Sequence, residues 1–357
     1  SQIVYVNFED ERLLEMSADD LNVILEIGLE MAGVDNRPYL FLDEIQNIKG
    51  WEKFVRRIAD MKYRINITGS NSKMLSSEIA STLGGRFMIV DIYPYSFPEY
   101  LLAQGKNKNY LDILSTKDRA EVLGMYDQYV KYGAFPELVG IRNKREFLNS
   151  IYQTIYLGDI ITRNKITNDF AVRLILKKIA ESITKPLSFN RLGNILKSAG
   201  AAIGKQTVIN YVGYMMESYM LFTLQNYAAK LIQKETSPKY YFMDTGLLGL
   251  MLMDCSSAQL ENLVAIELIR RFGREKVFYF ENNVEIDFYI PEEKLAIQVS
   301  MQVLDQIETR EREIGAFLKL RNFIEGARCI LITNSEEAEL DCDGIHVSVV
   351  PAWKWLL

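Results

Sequence analysis

Hydrophobic and polar positions in residues 1–93 alternate between two periods. Residues 3–8, 65–68 and 87–93 are short apolar runs of strand length, and residues 39–42 form an unbroken apolar run, as expected for a strand covered on both faces. Between them the spacing lengthens to that of a helix face. Leu21, Ile24, Leu25 and Gly28 share one such face, and Trp51, Phe54, Val55 and Ile58 fall at i, i+3, i+4 and i+7. Ser17, Ala18, Asp19 and Asp20 have the composition of a capping box ahead of the first helix, and a further helix is expected through Leu75 and Ile79. Strand and helix in regular alternation predict a parallel sheet with helical crossovers.

Beyond residue 93 the pattern changes. Residues 94–165 read as helical and tyrosine-rich, with breaks at 105–109 and 133–136. Helical spacing over 172–183, 189–197 and 205–219 is followed by two short strands, 221–227 and 240–243, the element order of a winged helix-turn-helix. A helix at 260–272 then leads into strands 277–280, 285–290 and 295–300, a charged helix at 307–320, and strands 329–333 and 345–349. There is no internal repeat and no low-complexity tract.

Composition narrows the function classes. The 357 residues are 48% hydrophobic and 25% charged, ordinary for a globular chain of two or three domains. No uncharged apolar run reaches membrane-spanning length, so no membrane role is expected and a cytoplasmic location is. Three widely spaced cysteines argue for a reducing compartment and against structural zinc. The single histidine, His346, lies in an alternating apolar segment, which excludes His-based triads. Net charge is −6, yet residues 163–240 carry twelve Lys/Arg against four Asp/Glu, a local +8 that favours a polyanion partner.

The run at 39–42 ends in Asp43 and Glu44, the way a P-loop NTPase closes its metal-holding strand. The first acid helps to hold Mg²⁺ and the second orients or deprotonates an attacking water. In a parallel sheet both stand at a strand's carboxyl end, as do Thr68, Ser70 and Asn71 of the next strand, where a polar side chain would sense the γ-phosphate. Arg86, opening the strand after that, could stabilise transferring phosphate. The phosphate cradle G-x-x-x-x-G-K-[ST] is absent. Residues 200–207 imitate it, but one residue is missing between the glycines, Gln206 follows Lys205, and a helix rather than a buried strand precedes them.

Several blocks resemble AAA+-superfamily ATPases of bacteria and archaea that carry a C-terminal domain of unknown function. They are Tyr5-Val6-Asn7-Phe8, Leu42-Asp43-Glu44-Ile45-Gln46-Asn47, Gly50-Trp51-Glu52, Ile67-Thr68-Gly69-Ser70-Asn71-Ser72, Gly85-Arg86, Tyr95-Ser96-Phe97-Pro98-Glu99-Tyr100 and Gly133-Ala134-Phe135-Pro136-Glu137. The resemblance continues through Tyr240-Tyr241-Phe242-Met243-Asp244-Thr245-Gly246-Leu247, Leu260-Glu261-Asn262 and Glu285-Ile286-Asp287-Phe288, so it covers essentially the whole chain. It implies that Asp43 and Glu44 are the Walker B pair and that Ser70 or Asn71 is the sensor-1 residue. In that family the phosphate loop precedes the strand matched here by residues 3–8. With Ser1 in place of a Met, a trimmed beginning is expected.

In the helix-turn-helix reading Lys205, Gln206, Thr207 and Asn210 open the third helix. Gln206 and Asn210 suit base edges; Lys205 and Thr207 suit phosphate. The same helix could equally pack on a protein, with Thr207 as its cap. From residue 260 to 300 the element order is that of restriction-endonuclease-like folds, which gather a helix carboxylate, a strand Asp and an E-x-K strand around Mg²⁺. Glu267 and Glu261 compete for the helix position, and Asp287 takes the strand position. The E-x-K position reads Gln298-Val299-Ser300, where Gln298 is a poor ligand for a hard cation and Ser300 brings no ammonium. A retained fold with lost chemistry is expected. Trp353 and Trp355 read as core or interface anchors.

The expected architecture is a multi-domain α/β chain: a P-loop NTPase-like core lacking Walker A (1–94), a helical lid (95–165), a winged helix (166–245) and a restriction-endonuclease-like α/β domain (246–357). The expected function is ATP- and Mg²⁺-dependent, nucleotide state being coupled to the appended domains, with this chain inactive unless a phosphate loop is supplied. The alternatives are a DNA-binding or degenerate nuclease protein and a non-catalytic scaffold. DNA or a protein at the winged helix, and a second copy of the chain, are the partners considered.

Overall fold

The computed structural model describes residues 3–33, 37–70, 87–106, 115–230, 234, 236–252 and 256–357. The chain divides into two compact units, one comprising residues 1–91 with 217–219 and the other 92–216 with 220–357.

In the first unit β1 (Ile3–Asn7), β2 (Tyr39–Asp43) and β3 (Arg64–Ile67) form a parallel sheet in that order. Val4 lies opposite Leu40, and Leu42 opposite Ile67. Helices α1 (Leu21–Ala32) and α2 (Trp51–Asp60) make the crossovers. Ahead of α1, Asp20 accepts both the backbone N–H and the hydroxyl of Ser17, so half of the predicted capping box forms and holds the approach to the helix. Gly28 lets α1 lie close to the sheet, since a Cβ there would be 3.1 Å from a Val4 methyl.

Two crossovers of the same hand, stepping the same way across the sheet, put both helices on one face. Leu40 and Leu42 are fully buried against Ile24, Leu25, Trp51 and Phe54. On the opposite face Ile3 and Tyr5 are 62% and 63% exposed, and Tyr39 and Phe41 are only half-buried. The expectation that 39–42 is covered on both faces is therefore corrected. An apolar run records what a strand can tolerate, and covering the second face requires the strand order to reverse.

The predicted strand at 87–93 is also corrected. Those residues form no ladder, and Met88, Ile89, Val90 and Ile92 are exposed. A strand is held by its neighbours, and no described strand pairs with this one. Among the described residues β3 likewise has no partner on its outer edge. The expected helix through Leu75 and Ile79 lies outside the described residues, as do Asn71 and Arg86.

The second unit opens with the predicted helices: α3 (Phe97–Ala103), α4 (Thr116–Tyr132) and α5 (Lys144–Gln153), the last running into a π-helical stretch, Thr154–Thr162. Ser96 and Glu99 make a complete capping box for α3. Phe97, Tyr100, Tyr126 and Tyr129 stack obliquely or edge-on between α3 and α4, which explains the tyrosine content of this segment. Then come α6 (Asp169–Ala180), α7 (Phe189–Ser198) and α8 (Lys205–Glu217), followed by the antiparallel pair β4 (Leu221–Asn226) and β5 (Lys239–Phe242).

This hairpin is not free at the surface. β4 also pairs in parallel with β6 (Phe278–Glu281), which joins it to β7 (Glu285–Ile290), β8 (Leu295–Ser300), β9 (Arg328–Thr333), β10 (Ala338–Cys342) and β11 (Ile345–Pro351). Among the described residues these strands make one mixed sheet in the order β10-β11-β9-β8-β7-β6-β4-β5. Helix α9 (Thr245–Met251) follows β5, α10 (Ser256–Phe272) precedes β6, and α11 (Ile307–Leu320) crosses from β8 to β9. Among the elements that escaped the sequence reading are α9 and β10. Helix α9 is short and started by a side chain, and β10 is a half-exposed edge strand of only five residues, although its apolar and charged positions alternate regularly. Among the described residues no helix is long and apolar enough to cross a membrane.

Candidate functional site

The sequence candidates fall into three groupings in the structure. At the end of β2 the chain turns sharply: Asp43 is the last strand residue, and Glu44 adopts the left-handed conformation (φ 53°, ψ 40°) before the turn Ile45–Asn47. An L residue holds that backbone only at a cost. Asp43 accepts the phenol of Tyr5 from β1 at 2.7 Å and the hydroxyl of Thr68 from just beyond β3. The Asp43 carboxylate pushes the Tyr5 phenol above its usual range. Glu44 accepts the Ser70 hydroxyl at 3.1 Å and the side-chain amide of Gln46, and its own N–H is 3.3 Å from the Thr68 oxygen.

Asp43, Glu44, Thr68 and Ser70 thus meet at the carboxyl ends of adjacent parallel strands, where α/β sheets present their sites. The donor set is oxygen only, with a carboxylate at its centre. That chemistry fits Mg²⁺, which is commonly held by one or two protein carboxylates together with water and substrate phosphate. Among the described residues no three Asp, Glu, His or Cys side chains could hold a metal by themselves. Tyr5 went unnoticed as a site residue because only the β1–β2 register, with Asn7 opposite Asp43, brings its ring within reach.

In the first turn of α8, Lys205, Gln206 and Asn210 are exposed and Thr207 is half-buried. The Gln206 amide donates to Asn210 at 3.1 Å, so these two side chains engage each other. Exposed Arg191 and Lys197 extend the basic character over α7.

The third grouping lies where β5, β7, β8 and α10 meet, and the structure divides its predicted members. Glu267 is buried on α10, where it bonds Arg271 at 2.7 Å and lies 3.7 Å from Arg270. The Ser300 hydroxyl donates to the Gln302 carbonyl at 3.3 Å. Glu261, Asp287 and Gln298 do come together. The Asp287 N–H donates to Gln298 at 2.9 Å, the Val299 N–H donates to Asp287 at 2.9 Å, and the Tyr241 hydroxyl donates to Glu261 at 2.8 Å. Their common centre is a residue the sequence did not mark. Lys239, the first residue of β5, is fully buried, with its ammonium 3.0 Å from Glu285, 3.5 Å from Asp287 and 3.6 Å from Glu261. A lysine opening an aromatic strand is indistinguishable in sequence from one reaching solvent. Burial pushes the Glu261 and Asp287 carboxyls up while the Lys239 ammonium pulls them down, and burial prevails.

Comparison with known proteins gives two family matches. Residues 1–101 match the model of an AAA domain, and residues 123–257 match a domain of unknown function, DUF8612. The uncharacterized protein MJ1544 of Methanocaldococcus jannaschii is 34% identical over 367 residues, spanning 99% of this chain and 82% of that protein. An uncharacterized protein of Haemophilus influenzae is 29% identical over 362 residues, with 98% and 86% covered. Two solved structures, each 14% identical, are more distant. The Walker-type ATPase PABY2304 of Pyrococcus abyssi has a TM-score of 0.39, covering 69% of this chain and 71% of that one. Cdc6p of Pyrobaculum aerophilum has a TM-score of 0.27, covering 75% and 81%. Scores of that size do not equate the folds.

Proposed function

We propose that this chain, which belongs to the family of the archaeal protein MJ1544 and carries an AAA domain over residues 1–101, is a nucleotide-dependent protein whose hydrolytic side is the Asp43–Glu44 pair. One observation carries the reading: the two acids leave β2 together, each bonded to a hydroxyl from the end of β3, Thr68 and Ser70. In this reading Asp43, steadied by Tyr5 and Thr68, holds Mg²⁺, and Glu44, steadied by Ser70 and Gln46, orients a water and takes its proton. The ion would neutralise charge on the phosphates of ATP. Asn71 and Arg86 keep the roles proposed from the sequence, a γ-phosphate contact and a stabilising guanidinium.

The phosphate-gripping turn would follow a further parallel strand beside β3. Among the described residues β3 has no partner on its outer edge and the largely apolar, exposed segment of residues 88–92 pairs with no strand, which supports this. ATP turnover by the full product of the gene tests the reading. Glu44→Gln should lower turnover by about 100-fold or more while retaining ATP binding, and Asp43→Asn should weaken Mg²⁺-dependent binding. Absence of ATP binding, or turnover unchanged in Glu44→Gln, would sink it.

A second reading, polyanion binding by the winged-helix-like segment, is favoured by the exposed Arg191, Lys197, Lys205 and Gln206 on α7 and α8. It requires affinity for duplex DNA that falls with salt and a salt slope reduced by about 1 in Lys205→Ala. Binding without a salt slope overturns it.

A further inference from the structure

The cluster around Lys239 does not depend on the nucleotide reading. Its composition resembles a carboxylate metal centre, although as they stand these side chains are not spaced to share a metal ion: an acid from a helix (Glu261) and two from a strand (Glu285 and Asp287), with an amide (Gln298) behind them. At its middle, however, is an ammonium of the chain itself. The Lys239 side chain has no exposed surface, and the three carboxylate oxygens surround its Nζ at 3.0, 3.5 and 3.6 Å. Two of the acids have further partners. Asp287 uses its second oxygen for the Val299 N–H, and Glu261 accepts the Tyr241 hydroxyl. Glu285 is the most exposed of the three, its side chain being 50% exposed against 16% for Asp287 and 6% for Glu261. Glu313, bonded to Arg312, adds its field from α11, and the Tyr279 ring lies 5.5 Å from the ammonium.

A buried carboxyl (Glu261), a largely buried one (Asp287) and a half-exposed one (Glu285) converging on one point favour a cation there, because charge removed from water without compensation is costly. A hard divalent ion and an ammonium are the two cations that carboxylate oxygens satisfy well. They differ in spacing, since an ammonium keeps its oxygens near hydrogen-bond length and a small ion draws them inward. We infer that Lys239 is the resident cation of this site: its ammonium stands where a metal-dependent hydrolase would hold its divalent ion, so the centre is closed to metal while Lys239 is present. The same residue explains why Ser300 can lack an ammonium without leaving the carboxylates unbalanced. The cation is supplied from β5, on the far side of β6 and β4 in the sheet order.

Mn²⁺ binding measured on the full chain tests this inference, because carboxylate sites accept that ion readily. The unaltered protein should show no Mn²⁺ binding that depends on Asp287. Lys239→Met keeps the bulk and removes the charge, and it should bind Mn²⁺ at least about tenfold more tightly than the unaltered protein, with a matching metal-dependent rise in Tm. Adding Asp287→Asn to Lys239→Met should abolish the gain. Should Lys239→Met be unfolded without metal, millimolar Mn²⁺ should restore its fold. Asp287-dependent Mn²⁺ binding by the unaltered protein overturns the inference, leaving Lys239 as a partner of a working metal centre. A folded Lys239→Met that takes no Mn²⁺, or one that stays unfolded with Mn²⁺ present, overturns it too.

Discussion

The carboxylate of Asp244 accepts the backbone N–H of Ala134 at 2.7 Å, across 110 residues of chain. Its other oxygen accepts the N–H groups of Gly246 and Leu247 at 2.8 and 3.2 Å and so starts α9. Gly133, at φ +79°, passes so close that a Cβ there would overlap this carboxylate, and a Cβ on Gly246 would overlap the carbonyl of Tyr132. The blocks 133–137 and 244–247 are two halves of one joint between the helical segment and the sheet. Burial pushes the Asp244 carboxyl up to about 6, against the pull of the three amides.

Removing that acceptor leaves three buried donors without a partner. Asp244→Ala should lower the stability of the second unit by about 3 kcal/mol or more, measured as a reduced urea midpoint. Gly133→Ala should cost a comparable amount, because it combines overlap with a left-handed backbone. A midpoint unmoved by Gly133→Ala would mean that the joint opens freely.

Glu44 stores strain at the proposed hydrolytic site. Glu44→Gly relieves the left-handed conformation and should raise the stability of the first unit by about 1 kcal/mol, while removing the group proposed to activate water. Thermal unfolding and ATP turnover measured on the same preparation check both halves. A destabilised Glu44→Gly would show that the side-chain bonds to Ser70 and Gln46 outweigh the strain.

His346 lies between Asp341 at 2.8 Å and Glu339 at 3.0 Å on the β10–β11 hairpin. The hydrogen bond to Asp341 raises its pKa above the usual imidazole value. A raised histidine contributes stability that is complete below its unfolded pKa and is lost as pH rises through the folded one. As the chain has one histidine, a single imidazole resonance in an NMR titration should report the raised value. Asp341→Asn should bring it down, and a resonance that Asp341→Asn leaves in place refutes the assignment.

Glu261 gives the opposite kind of acid from a salt-bridged surface carboxylate. Burial raises its folded pKa above the unfolded value, so the folded state binds the proton more tightly over the interval between them. Its contribution is therefore largest at acid pH and declines as pH rises through that interval. Glu261→Gln should flatten this part of the stability–pH curve while leaving the protein folded. A curve as steep as that of the unaltered protein argues that Glu261 is ionised throughout.

Much of the architecture was legible in the residue pattern because local periodicity reports it directly. The spacing of Trp51, Phe54, Val55 and Ile58 becomes α2, and the pattern at 307–320 becomes α11 with the same bounds. The joint meeting of Asp43, Glu44 and Ser70 followed from their positions at consecutive strand ends. Residues 87–93 failed for a physical reason: their β-forming composition requires a hydrogen-bonded neighbour, and none is present among the described residues. Glu267 failed otherwise. Its position on the buried face of α10 was read correctly, but one face of a helix offers several acids, and this one pairs with Arg270 and Arg271.

What the sequence determined by itself is the order and kind of most elements and the acid pair closing β2, because helix and strand periods and strand-end positions are encoded within a few residues. Tertiary structure alone decided that Tyr5 would hold Asp43, that Asp244 would reach Ala134, and that Lys239 would lie among Glu261, Glu285 and Asp287. Each of these contacts joins residues far apart in the chain, and its strength comes from burial and register, which no local pattern carries.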